Sequence, residues 1–167
     1  MTFVLRDAVA DDAEAVARIY VESWNAGFAG HLPSRALTAG QVRRWERDLA
    51  GAVSWRVALE SGVPIGFAGT GVNRDPVEPL LGELDTIAVS PEWWRRGVGR
   101  ALMLDALESM RAAGFRSALL WTLAEYPRGE RFYRRHGWSL GGMVRDSGRQ
   151  VAYRHPLTGY ADVRADL

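Results

Sequence analysis

Leu84-Asp85-Thr86-Ile87-Ala88-Val89-Ser90-Pro91-Glu92-Trp93-Trp94-Arg95-Arg96-Gly97-Val98-Gly99-Arg100-Ala101-Leu102 is the stretch on which the fold turns. A strand reaches Val89, Ser90-Pro91 breaks it, and a helix begins at Gly97 after a turn holding two arginines. The first N–H groups of such a helix have no partner inside it and lie at the positive end of its dipole. Phosphate groups bind helix ends of this kind. Gly97 and Gly99 lack a Cβ and let the main chain approach a diphosphate, while Arg95, Arg96 and Arg100 bring compensating charge. A helix with a glycine-containing start and a solvated arginine face fits the same spacing, because a G-x-G pair is a weak signal. The dinucleotide fingerprint is absent, since Leu102 stands where its third glycine is required.

Outward from this junction, the helix is predicted over 97–113 with Gly114 as its stop, and the strand before it over 82–89. Downstream, a strand rich in Leu and Trp covers 117–122. Pro127 suits the first position of a helix that reaches Arg135 or His136 and ends at Gly137. A closing hairpin over 138–144 and 150–155 turns at Asp146-Ser147-Gly148. Upstream, 53–59 and 64–72 form a hairpin at Glu60-Ser61-Gly62, with a turn-rich connection over 73–79. Near the start lies a short strand over 3–6. Asp11 and Asp12 then precede Ala15, Val16, Ile19 and Tyr20, which mark one helix face, and a second helix follows over 39–49.

The order is β-α-α-β-β-β-α-β-α-β-β. It gives a mixed α/β (α+β) fold in a single domain over 1–167. A sheet of about six to seven strands, mostly antiparallel, has one right-handed parallel crossover and four flanking helices.

The chain has 167 residues, long enough to bury a core, and its 47% hydrophobic and 25% charged residues place it among globular proteins. A net charge of +1 argues against a general grip on nucleic acid. There is no cysteine, which removes disulfides, thiolate zinc sites and a cysteine nucleophile. All 21 basic residues are arginine, so acyl-lysine, Schiff-base and P-loop lysine chemistry are excluded as well. His31, His136 and His155 have no metal-ligand spacing. No signal-peptide core or membrane-length apolar run is present, and the expected setting is the cytoplasm.

A second motif lies downstream: Tyr126-Pro127-Arg128-Gly129-Glu130-Arg131-Phe132-Tyr133, followed by Gly137-Trp138. Together with Trp94-Arg95-Arg96-Gly97-Val98-Gly99, it resembles the GNAT acetyltransferase superfamily. That family's motifs are written [Q/R]-x-x-G-x-[G/A] and N-x-x-A-x-x-F-Y-x-x-x-G-[FW]. Trp94 stands at the Gln/Arg position, Tyr126 at the Asn and Gly129 at the Ala.

The resemblance implies direct attack of an amine on acetyl-CoA, without a metal and without an enzyme-bound acyl group. It assigns the cofactor to the main chain of Ile87, Ala88 and Val89 and to Arg95, Arg96, Gly97, Val98, Gly99, Arg100 and Ala101. It puts the Tyr133 hydroxyl near the cofactor sulfur. A carboxylate at Glu83, or at Asp85 as second choice, becomes the base. Those two share one strand face by period-two alternation. Glu22-Ser23-Trp24 with Phe28 and Leu32-Pro33 falls where relatives shape the acceptor pocket. There Trp24, Phe28 and His31 would border the amine, with Trp24 holding a cation over its ring. A homodimer is common among similar proteins.

Two rival readings exist: a non-catalytic acyl-CoA-binding regulatory module, and a nucleic-acid binder built on Arg128, Arg131, Arg134 and Arg135. The hydrolase elbow G-x-S-x-G is matched at Gly137 to Gly141, but a helix precedes it and a strand follows, the reverse of what that motif needs.

Overall fold

Seven strands and four helices follow one another in the predicted order: β1 (Val4–Asp7), α1 (Ala13–Gly27), α2 (Ala39–Leu49), β2 (Ser54–Glu60), β3 (Val63–Val72), β4 (Leu81–Val89), α3 (Val98–Ala112), β5 (Ser117–Leu123), α4 (Pro127–Arg135), β6 (Ser139–Arg145) and β7 (Gln150–Pro156). The computed structural model describes residues 2–74 and 78–158, so part of the 73–79 connection and the end of the chain lie outside it. The strands make one sheet in the order β1-β2-β3-β4-β5-β7-β6. β4 and β5 are parallel, and the pairs β1–β2, β5–β7 and β6–β7 are antiparallel. The β2–β3 turn has both central residues at positive φ, Ser61 at 49° and Gly62 at 82°, which matches the twist of the strands it joins.

The chain divides into two compact units, one drawn from Met1–Gly69 and Thr86–Asp105, the other from Thr70–Asp85 and Ala106–Leu167. In the first, the apolar face of α1 (Ala13, Val16, Ala17, Ile19) packs with Trp45 of α2, Trp55, Val57 and Leu59 of β2, and Phe67 of β3. Trp45 meets Trp55 and Phe67 edge-on, with ring centroids 5.2 and 5.1 Å apart. Trp55 lies so close over Gly69 that a Cβ there would sit 2.4 Å from its ring. α2 starts where predicted because Thr38 and Gln41 cap it reciprocally: the Gln41 N–H donates to Thr38 Oγ1 at 3.2 Å, and the Thr38 N–H to Gln41 Oε1 at 3.0 Å. Asp12, buried before α1, accepts from both Arg6 Nη atoms and from the Val9 N–H at 2.7–2.9 Å. These bonds hold its carboxyl below the ordinary range, the Arg6 hydrogen bond being the largest cause.

In the second unit, Leu81, Leu119 and Ala152 form a core on one face of the sheet, extended by Trp121 and Met143. On the other face, a Cβ at Gly82 would lie 3.0 Å from Met110 and Phe115, so the C-terminal half of α3 presses directly on β4. Gly114 and Gly137 end α3 and α4 at φ of 88° and 83°. Two short 3-10 turns, Ala10–Asp12 and Pro91–Trp93, were not anticipated. Proline at the start of the second one places its missing N–H where no partner is required.

Candidate active site

In the first unit, the junction that opened the sequence reading is held by main-chain and indole bonds. The Ser90 N–H donates to Ile65 O at 2.9 Å, and Trp93 N–H donates back to Ser90 O at 2.9 Å. Trp94 then donates its indole N–H to Val89 O at 2.7 Å. The residue that departs from the family motif is therefore a strut between the strand end and the turn. Arg95 and Gly97 take positive φ, 62° and 88°. Gly97 O accepts from Ala101 N–H at 3.0 Å, which makes Gly97 the helix cap. The N–H groups of Val98, Gly99 and Arg100 are left without intrahelical acceptors. A Cβ at Gly97 would meet nothing within 4 Å, so the space before the cap is open. Val98 is fully buried and anchors the helix start, while Arg95, Arg96 and Arg100 are exposed. An open, arginine-ringed helix cap of this shape fits a diphosphate.

Trp24 and Phe28 lie in the same unit, their rings tilted by 60° with centroids 4.7 Å apart. A cation does sit over the Trp24 ring, but it belongs to the chain: the Arg35 guanidinium is 3.5 Å from the ring centroid. Arg35 also donates to Tyr20 Oη at 2.8 Å, and its main chain is clasped by the Asn25 amide at 2.7 and 2.9 Å. Trp24 donates its indole N–H to Pro33 O at 3.3 Å. The pair fastens the loop after α1. His31 is exposed, its N–H bonded to Phe28 O at 2.9 Å.

In the second unit, the β4–β5 ladder runs Leu81↔Ser117, Gly82↔Ala118, Glu83↔Leu119 and stops, although β5 continues to Leu123 in its ladder with β7. Where it stops lies a cavity of about 240 Å³ lined by Arg74, Glu83, Asp85, Trp121 and Arg145. Glu83 and Asp85 do share a face, as alternation predicts. Both face Arg74, which sequence reasoning missed. Arg74 Nη2 is paired with Asp85 and lies 3.6 Å from Glu83 Oε1, and the Arg74 N–H donates to Glu83 Oε2 at 3.3 Å. Asp85 thus carries the tight ion pair and Glu83 the loose one. The only signal for Arg74 was a basic residue just past one hairpin arm, opposite acids on the other arm.

Tyr133 lies on the opposite face of the sheet from the carboxylates, bonded to Thr122 and packed on Tyr153 with centroids 5.7 Å apart. Burial raises its pKa well above the ordinary tyrosine range. Tyr126 and Tyr153 add to the effect, and the Thr122 hydrogen bond opposes it. A Cβ at Gly129 would fall 2.3 Å from the Tyr126 ring. The two departures from the second motif are therefore one exchange: the large ring at 126 requires glycine at 129. Among the described residues, no three His, Cys, Asp or Glu side chains gather as metal ligands would, and no helix is long and apolar enough to cross a membrane.

A mixed seven-stranded sheet flanked by four helices, with an open helix start beside exposed arginines at the end of β4, defines an α/β protein with the geometry of an anion site. Comparison with known proteins narrows that class. The chain belongs to the acetyltransferase (GNAT) family, whose model matches residues 13–138, and it is an acetyltransferase. It is 30% identical over 128 residues to the uncharacterized N-acetyltransferase YuaI of Bacillus subtilis, covering 74% of this chain and 73% of that protein. It is also 30% identical over 122 residues to a mycothiol acetyltransferase of Pseudarthrobacter chlorophenolicus, covering 71% of this chain but 38% of the relative. A phosphinothricin acetyltransferase of Sinorhizobium meliloti, solved with acetyl-CoA, superposes with a TM-score of 0.75 at 29% identity, covering 96% of this chain and 92% of that one.

Proposed function

We propose that this enzyme passes the acetyl group of acetyl-CoA directly to the amine of a small molecule or peptide. Arg95, Arg96, Gly97, Val98, Gly99, Arg100 and Ala101 hold the diphosphate. The main chain of Ile87, Ala88 and Val89 holds the pantetheine arm and the developing oxyanion. The observation that carries this reading is the open cap at Gly97, with φ of 88° and, beyond its chain neighbours, nothing within 4 Å of where a Cβ would stand. A chain without cysteine or lysine supports direct attack over an acyl-enzyme.

An alkyl ammonium with a pKa of about 10.4 is only about one part in two thousand neutral at pH 7, so its proton must be received. Glu83 is the base, directly or through water, because Arg74 holds it more loosely than it holds Asp85. Tyr133 donates a hydrogen bond to the departing sulfur from the other face. Trp24 and Phe28 contribute to the acceptor side by fixing the loop after α1. The same reading places the enzyme in the cytoplasm as one domain, allows a homodimer, and leaves out metal, membrane and nucleic acid as partners.

The test is Gly99→Glu, which sets bulk and negative charge at the helix start. Calorimetry should give at least a tenfold loss of acetyl-CoA affinity with folding intact. Unchanged affinity overturns the diphosphate assignment.

A further inference from the structure

The cavity at the end of the β4–β5 ladder carries two acids and two bases, and these are not equivalent. Arg74 is committed to Glu83 and Asp85, and the three together keep one net negative charge. Arg145 is committed to neither acid. Its guanidinium lies 4.4 Å over the Trp121 ring, and its Nε donates to Gln150 Oε1 at 2.6 Å. Its two terminal nitrogens have no protein acceptor among the described residues. A guanidinium fixed by a stack and one hydrogen bond, with its outer fork free, is arranged in advance to take a carboxylate through two parallel bonds. The Trp121 indole N–H beside it is buried with no acceptor among the described residues.

We propose that the acceptor carries an anionic group beside its amine, as a free amino acid or close analogue does, and that Arg145 binds that anion. This rests on the acetyl-transfer reading in which Glu83 receives the proton of the amine. The ammonium goes to the negative trio and the carboxylate to Arg145. A plain alkylamine would leave the Arg145 charge facing a second cation, and a plain anion would meet the trio. Size agrees: 240 Å³ is the space of about eight waters, enough for a small amino acid.

The experiment follows thiol release with three matched acceptors: leucine, leucinamide and 3-methylbutylamine. Leucinamide has the least basic amine of the three, so a preference for leucine over it cannot come from easier deprotonation. Leucine should exceed both others at least tenfold in kcat/KM. Arg145→Gln should raise KM for leucine at least tenfold, erasing the preference. Arg145→Lys, which keeps the charge and loses the fork, should fall between. The proposal is overturned if leucinamide or the amine equals leucine in the wild type, or if Arg145→Gln slows all three alike. If calorimetry shows acetyl-CoA bound but no acceptor of the set is acetylated, the amino-acid class falls and the donor site stands. Failure of wild-type protein to bind acetyl-CoA overturns both readings.

Discussion

Tyr133 holds its proton more firmly than a tyrosine in water, because burial and two neighbouring phenols disfavour the phenolate more than Thr122 favours it. Full transfer to a thiolate is already uphill by about 2 kcal/mol for an ordinary tyrosine, and the raised pKa makes it costlier. A hydrogen bond to sulfur is the role proposed here for Tyr133. Tyr133→Phe is expected to lower kcat by about a hundredfold, with acetyl-CoA affinity nearly unchanged. The pH–rate profile of the wild type should show no basic limb from this group below about pH 10. Wild-type turnover in the variant would reduce Tyr133 to packing. Glu83→Gln should cost most near neutral pH, and the defect should shrink as the amine deprotonates unaided above about pH 10. A defect flat in pH removes the base role. The placement of Tyr133 on α4 and the shared strand face of Glu83 and Asp85 were legible because a motif and a two-residue period expose them. Arg74 and Arg145 were not, since each meets its partners only through strand pairing and the turns between strands.

At the level of elements, the exchange at Tyr126 and Gly129 shows how a motif can change without losing its helix. Alanine at 129 would drive its methyl into the Tyr126 ring, and overpacking of this kind costs about 1–3 kcal/mol. Gly129→Ala alone should therefore lower stability by about that amount in denaturant melts. In the Tyr126→Asn background the same change should be neutral or favourable, since alanine is the better helix former. Equal effects in both backgrounds would mean that the two positions are independent. Helix and strand bounds were legible because caps and turns are local: Thr38 with Gln41 starts α2, and Gly114 and Gly137 stop α3 and α4. The early end of the β4–β5 ladder was not legible. Nothing in the composition of 84–89 distinguishes a strand that stays paired from one that does not.

The whole molecule shares two elements between its units: β4 contributes Leu81–Asp85 to one and Thr86–Val89 to the other, and α3 is divided after Asp105. Melting one unit alone would break a continuous strand and a continuous helix at mid-length, sacrificing bonds on both sides of each break. One cooperative transition is therefore expected, with calorimetric and van't Hoff enthalpies in agreement. The proposed donor contacts at 87–101 all lie in one unit. Acetyl-CoA then acts as a reporter of coupling. At a hundred times its Kd it adds about 2.7 kcal/mol to unfolding, which for a chain of this length is a rise in Tm of about 5–11 °C. With coupled units, the rise should appear equally in tryptophan fluorescence, five of the seven tryptophans lying in the first unit, and in hydrogen-exchange protection of β5 and β7. A rise confined to the first signal would mean that the units unfold separately, and that donor binding is felt only where its contacts lie.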